Sequence, residues 1–147
     1  MPEFSQSKKL NHSAKQMFDL VMDIEKYPEF LPWCKKAQII EVISENNLEA
    51  DLLINFKNIF ETYRSNVSFG QKDDRYFIDV KAISGPFKLL VNNWQFSEFG
   101  DKSCEINFHV EFEFNSKILT KLIGFIFKDA SKKMVKAFEK RAKEIYN

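Results

Sequence analysis

His109, Glu111 and Glu113 stand at alternate positions of one apolar–polar repeat, so their side chains share one side of a strand. Two of the three would be enough to begin a metal site. The other side of that repeat is rich in Phe, which makes this the outer, solvated face, and no metal ion is expected. Cys34 follows Trp33 and precedes Lys35-Lys36, and neighbouring cations lower a thiol pKa. A nucleophile also needs a base, and none is identifiable, so Cys34 reads as a packing thiol. His12 sits beside a helix-capping sequence and reads as local structure. There is no G-x-S-x-G, no Gly-rich phosphate loop and no H-E-x-x-H. The sequence predicts no catalytic residue and no enzyme.

The chemistry that remains is burial of apolar matter. The 147 residues include 16 Phe but only four Gly and four Pro. Asp23 to Cys34 reads DIEKYPEFLPWC. Two prolines fix an irregular path there. Tyr27, Phe30, Leu31 and Trp33 are too apolar for an idle surface loop. They must plug a core, gate a cavity or touch a membrane.

The elements that would position these residues show in the periodicity. Ile106, Phe108, Val110, Phe112 and Phe114 alternate with Asn107, His109, Glu111 and Glu113, the period of a half-buried strand. Leu48–Phe56 and Tyr76–Ala82 repeat it. Phe87, Leu89 and Val91 begin another strand, whose apolar parity shifts across Asn92-Asn93 to Trp94 and Phe96. One extra residue there predicts a β-bulge. Residues 37–43 and 60–69 are further strands. Short turns join them into an antiparallel meander.

Two segments have helical period. Ser13 with Gln16 forms a capping box ahead of Ala14, Met17, Phe18 and Val21. A second helix runs from an N-cap at Asn115 or Ser116 towards Tyr146, ~45 Å if unbroken. Its expected apolar stripe is Leu119, Leu122, Ile123, Ile126, Phe127, Ala130, Met134, Ala137, Phe138 and Ile145. A curved antiparallel sheet around a long helix is an α+β arrangement, and the gap between them is a natural cavity. Residues 1–147 read as one domain.

Net charge is +1, which excludes a diffuse attraction to DNA or other polyanions. The charge is segregated, however. From Asn115 onward there are nine basic and three acidic residues, and before it 13 basic and 18 acidic. A basic amphipathic helix attracts anionic lipid or RNA. Two cysteines make no disulfide-dense scaffold, the first ten residues carry no apolar signal core, and no run approaches a membrane span.

The stretch Tyr27-Pro28-Glu29-Phe30-Leu31-Pro32-Trp33-Cys34 after a short capped helix resembles the coenzyme-Q-binding START-like family, which includes the ribosome-association toxins. Three more pieces match in family order. They are Gly85-Pro86-Phe87-Lys88-Leu89-Leu90 leading to Trp94-Gln95-Phe96, Phe112-Glu113-Phe114 with Asn115-Ser116, and Met134 to Ala142. The resemblance implies a helix-grip fold and a non-enzymatic role. Eukaryotic relatives bind ubiquinone and support electron transfer or quinone delivery. Some bacterial relatives bind the large ribosomal subunit and block subunit joining.

The pattern and the resemblance together give a wall and mouth of Tyr27, Leu31, Trp33, Phe56, Phe60, Tyr63, Phe87, Leu89, Trp94, Phe112, Phe114, Leu119, Ile123 and Phe127. Tyr63 or Asn92 would offer a hydrogen bond to a quinone head, and Lys57 to Phe60 would form part of the mouth. Lys121, Lys128, Lys132 and Lys133 would meet an anionic membrane or, on the alternative reading, ribosomal RNA. No cofactor is expected, ubiquinone being a bound ligand. The expected location is cytoplasmic, peripheral on the inner face of the respiratory membrane.

Overall fold

A computed structural model describes residues 2–56 and 59–146, the side chains of Phe56 and Ile59 excepted. Seven strands form one antiparallel sheet: β1 (Glu3–Leu10), β2 (Cys34–Ser44), β3 (Asn47–Phe56), β4 (Ile59–Lys72), β5 (Arg75–Ser84), β6 (Phe87–Glu98) and β7 (Cys104–Phe114). Their order across the sheet is β1-β7-β6-β5-β4-β3-β2. β2 to β7 are the expected meander. β1 was not visible in the pattern, because only Phe4 and Leu10 of its eight residues are large and apolar. It forms by pairing with β7, Phe4 opposite Val110 and Leu10 opposite Cys104, and both apolar side chains are buried.

The helix α1 (Ala14–Met22) begins with the expected capping box: Ser13 Oγ accepts from Gln16 N and Gln16 Oε1 from Ser13 N, each at 3.0 Å. A 3-10 helix follows at Ile24–Glu29 and carries Pro28. The long α2 spans Lys117–Tyr146, with Ser116 Oγ accepting from Leu119 N at 3.2 Å. The curved sheet with this C-terminal helix is the helix-grip arrangement.

The bulge expected at Asn92-Asn93 lies elsewhere. The β6–β7 register is continuous from Leu89 to Glu98 and shifts between Phe87 and Leu89. Phe87 and Leu90 therefore share the inner face with Asn92, Trp94 and Phe96. Asn92 is a polar residue on the inside, and assuming it outside displaced the bulge by about four residues.

α2 has two dissimilar halves. Its later turns bury Ser131, Val135, Phe138 and Ala142. The Phe138 ring meets those of Tyr27, Phe30 and Trp94 edge-on, at centroid distances of 5.4, 5.2 and 5.2 Å. Its earlier turns leave Ile118 74%, Leu122 57% and Phe125 81% exposed. The expected stripe is thus corrected at Leu122 and Ile145, both exposed. An Arg141–Glu29 pair at 2.7 Å and a Lys8–Glu139 pair at 2.6 Å tie the later half to the body.

Phe138→Ala removes the ring that joins α2 to the 3-10 segment and the sheet. A loss of about 3–5 kcal/mol is expected in urea unfolding followed by circular dichroism.

Candidate ligand cavity

The concave face of the sheet is apolar because β4, β6 and β7 each turn alternate residues inward. α2 crosses it without filling it. Two chambers remain, sharing Trp33, Ile54 and Tyr63. The outer one, about 150 Å³, is enclosed by these three with Phe87 and Leu90 of β6, Phe112 and Phe114 of β7, and Ile123, Phe127, Ala130 and Ser131 of α2. Stacked and edge-on rings build its wall: Phe87 with Phe114 at 4.7 Å, Phe87 with Tyr63 at 5.1 Å and Phe112 with Phe127 at 4.5 Å. The inner one, about 90 Å³, reaches between the 3-10 segment and β3–β6, past Tyr27, Leu31, Cys34, Ser65, Asn92, Trp94 and Phe138.

The proline-bounded segment is locked by its own backbone. Leu31 N donates to Tyr27 O at 2.9 Å, and Asn55 N on β3 donates to Trp33 O at 2.8 Å. The Tyr27 hydroxyl donates to Val21 O. These bonds fix Trp33 where both chambers meet.

Ten of the expected wall residues line the chambers: Tyr27, Leu31, Trp33, Tyr63, Phe87, Trp94, Phe112, Phe114, Ile123 and Phe127. Leu89 does not; the bulge turns it outward, opposite Glu113. Leu119 also lies off the wall, in the first turn of α2. Phe60, 61% exposed, stands at the start of β4 outside both chambers. The Phe56 side chain and Lys57-Asn58 lie outside the described residues. Sequence reasoning missed Ile54, Leu90, Ser65 and Ser131. Ile54 follows from the Leu48–Phe56 alternation and Leu90 from strand parity once the β6 bulge is placed; nothing in the pattern marks the two serines.

No Asp, Glu, Lys, Arg or His lines either chamber among the described residues. Burial pushes the Tyr27 and Tyr63 phenols up, and both stay protonated. Cys34 is buried, as a packing thiol is. Burial raises its thiol to about 11, while Lys35 and Lys36 are exposed. Its Sγ donates to Lys36 O at 3.6 Å.

On the opposite face of the sheet, Glu3, His109 and Glu111 bring one donor atom each within 4.8 Å of one another. Ser5 Oγ lies 2.6 Å from His109 Nδ1, and Glu113 pairs with Lys88 at 3.3 Å. Lys121, Lys128, Lys132 and Lys133 are all exposed on α2. Lys133 is paired with Asp129 at 3.2 Å.

The family model described as polyketide cyclase / dehydrase and lipid transport matches residues 10–139. A Rickettsia prowazekii protein named ribosome association toxin RatA is 47% identical over 99% of both chains. The mitochondrial coenzyme Q-binding protein COQ10 homolog B of Xenopus laevis is 33% identical over 98% of this chain and 59% of its own length. The Zhui aromatase/cyclase from Streptomyces sp. R1128 superposes with a TM-score of 0.85 over 99% of this chain and 95% of its own. At 11% identity that likeness speaks for the fold alone.

Cys34 and Cys104 are both raised by burial from 9.0 to about 11. Below pH 9 neither state ionises them. Above it the unfolded thiols lose protons first, so stability falls between pH 9 and about 11. The Cys34→Ala, Cys104→Ala double variant should shallow that fall in urea titrations. In the native protein neither thiol should react with an aromatic disulfide reagent near pH 8, and both should react in urea.

Proposed function

The chain belongs to the polyketide cyclase / dehydrase and lipid transport family, and on that premise we propose that it binds an isoprenoid quinone such as ubiquinone beneath α2 and catalyses no reaction. The observation that carries this reading is the uncharged, ring-lined cavity between sheet and helix. Each CH₂ buried there gains about 0.8 kcal/mol, and flat rings offer stacking surfaces to a quinone. An apolar cavity of about 150 Å³ takes one benzene-sized ring. A ring or one isoprenoid unit therefore fits the outer chamber, and a longer tail continues outward along α2. Among the described residues the wall offers no acid–base pair, which supports carriage over catalysis. The name of the Xenopus relative agrees with this ligand.

Exchange with a membrane suits the first half of α2. Ile118, Leu122 and Phe125 form an outward apolar stripe flanked by Lys117, Lys121 and Lys128. Apolar anchors with surrounding cations are what an anionic bilayer surface binds. No helix of the described residues is long and apolar enough to cross a membrane; the proposed contact is peripheral, on the cytoplasmic face.

A second reading is favoured by a separate observation. The Rickettsia relative, similar over nearly the whole of both chains, is named for ribosome association. The exposed lysines of α2, among them Lys121, Lys128 and Lys132, would face RNA phosphates of the large subunit and block subunit joining.

Organic extraction of the protein purified from its source should release a quinone, identified by mass spectrometry. Ile123→Trp, which fills the outer chamber, should lower the recovered quinone at least about ten-fold without unfolding the protein. An empty cavity in repeated preparations, with no uptake of added quinone, would refute the reading. For the ribosomal reading, overproduction should raise free subunits on a sucrose gradient, and Lys121→Glu with Lys128→Glu and Lys132→Glu should abolish the rise. An unchanged profile would exclude it.

A further inference from the structure

Ser65 is 1% exposed, lines the inner chamber, and its Oγ has no hydrogen-bond partner among the described residues. It stands on the inner face of β4 between Tyr63 and Val67, paired with Ala50 of β3 and Ala82 of β5. An alanine would occupy the same place with no polar atom to satisfy. A buried hydroxyl that makes no bond is a standing loss of stability. Tyr27, Cys34 and Asn92, which line the same chamber, are engaged within the protein. The Tyr27 hydroxyl donates to Val21 O and the Cys34 thiol to Lys36 O. The Asn92 side chain accepts from Trp94 Nε1 and donates to His109 O, both at 3.0 Å. Ser65 is left with a donor to give.

We infer that Ser65 anchors the ligand's polar end: an uncharged head rests at the junction of the chambers, its leading carbonyl or ether oxygen reaches into the inner one and accepts from Ser65 Oγ, and the apolar tail leaves through the outer chamber. The inference rests on the reading of the cavity as a ligand site and adds its polarity and its orientation. The absence of charged side chains from both walls, among the described residues, sets the class of head. A carboxylate or phosphate there would be buried without a counter-charge. Fatty acids and phospholipids are thereby disfavoured against neutral molecules such as quinones. Tyr63, which lines both chambers, supplies a second hydroxyl beside the path.

The test titrates the full chain and its Ser65→Ala variant with three probes, decyl-ubiquinone, dodecylbenzene and palmitate, by quenching of tryptophan fluorescence and by calorimetry. The variant should bind decyl-ubiquinone about three- to ten-fold more weakly and dodecylbenzene within about two-fold of the parent. Its ligand-free melting temperature should be unchanged or higher, since an unpaired hydroxyl has been removed. Palmitate should bind the parent at least about ten-fold more weakly than decyl-ubiquinone. Equal loss for both neutral probes, no loss for either, or a lower melting temperature with unchanged affinity would overturn the anchor. Palmitate bound as tightly as the quinone would overturn the neutral head. A parent that binds none of the three would instead remove the ligand reading on which the anchor rests.

Discussion

A seven-stranded sheet with an apolar concave face must be covered, and this chain has one long helix with which to cover it. That constraint governs the rest. α2 can close against the sheet only where its side chains and those of the 3-10 segment interlock, and they do so around Phe138. Further towards its N-terminus the helix touches β7 through Phe127 on Phe112, and Ile123 meets a hollow rather than a packed layer. The cavity is what one helix leaves uncovered on one curved sheet.

The same division explains the charge. The later half of α2 is held by packing and by ion pairs to Glu29 and from Lys8 to Glu139. The earlier half turns Ile118, Leu122 and Phe125 to the solvent side and keeps its lysines there too. A net charge of +1 for the whole chain conceals this, because the acidic surplus sits on the body. Attraction to a polyanionic surface would then be local to one helix rather than general.

Much of this was legible in the residues because two periods carry different faces. The strand Ile106–Phe114 alternates without a fault, and its burial alternates likewise. The capping box at Ser13 and the start of α2 at Ser116 follow from local hydrogen-bonding chemistry. What failed did so for stated reasons. β1 owes its existence to a partner strand about a hundred residues away. Leu89 was placed inward because Asn92 was taken as an outward residue, whereas Asn92 is held inside by Trp94 and the His109 carbonyl. Leu122 belongs to the helical stripe by period, but a stripe says nothing of where the sheet ends. Ser65 carried no signal, since a small polar residue in a strand marks neither face.

The central claim is that the space between α2 and the sheet is a site for an uncharged apolar ligand. A crystal structure of the protein grown with decyl-ubiquinone tests it most directly. The account predicts ring density at the junction by Trp33, Ile54 and Tyr63, with the tail running past Phe112 and Phe127 towards the first turns of α2. A cavity that stays empty under saturating quinone, with the molecule bound only on the outer surface, would contradict it.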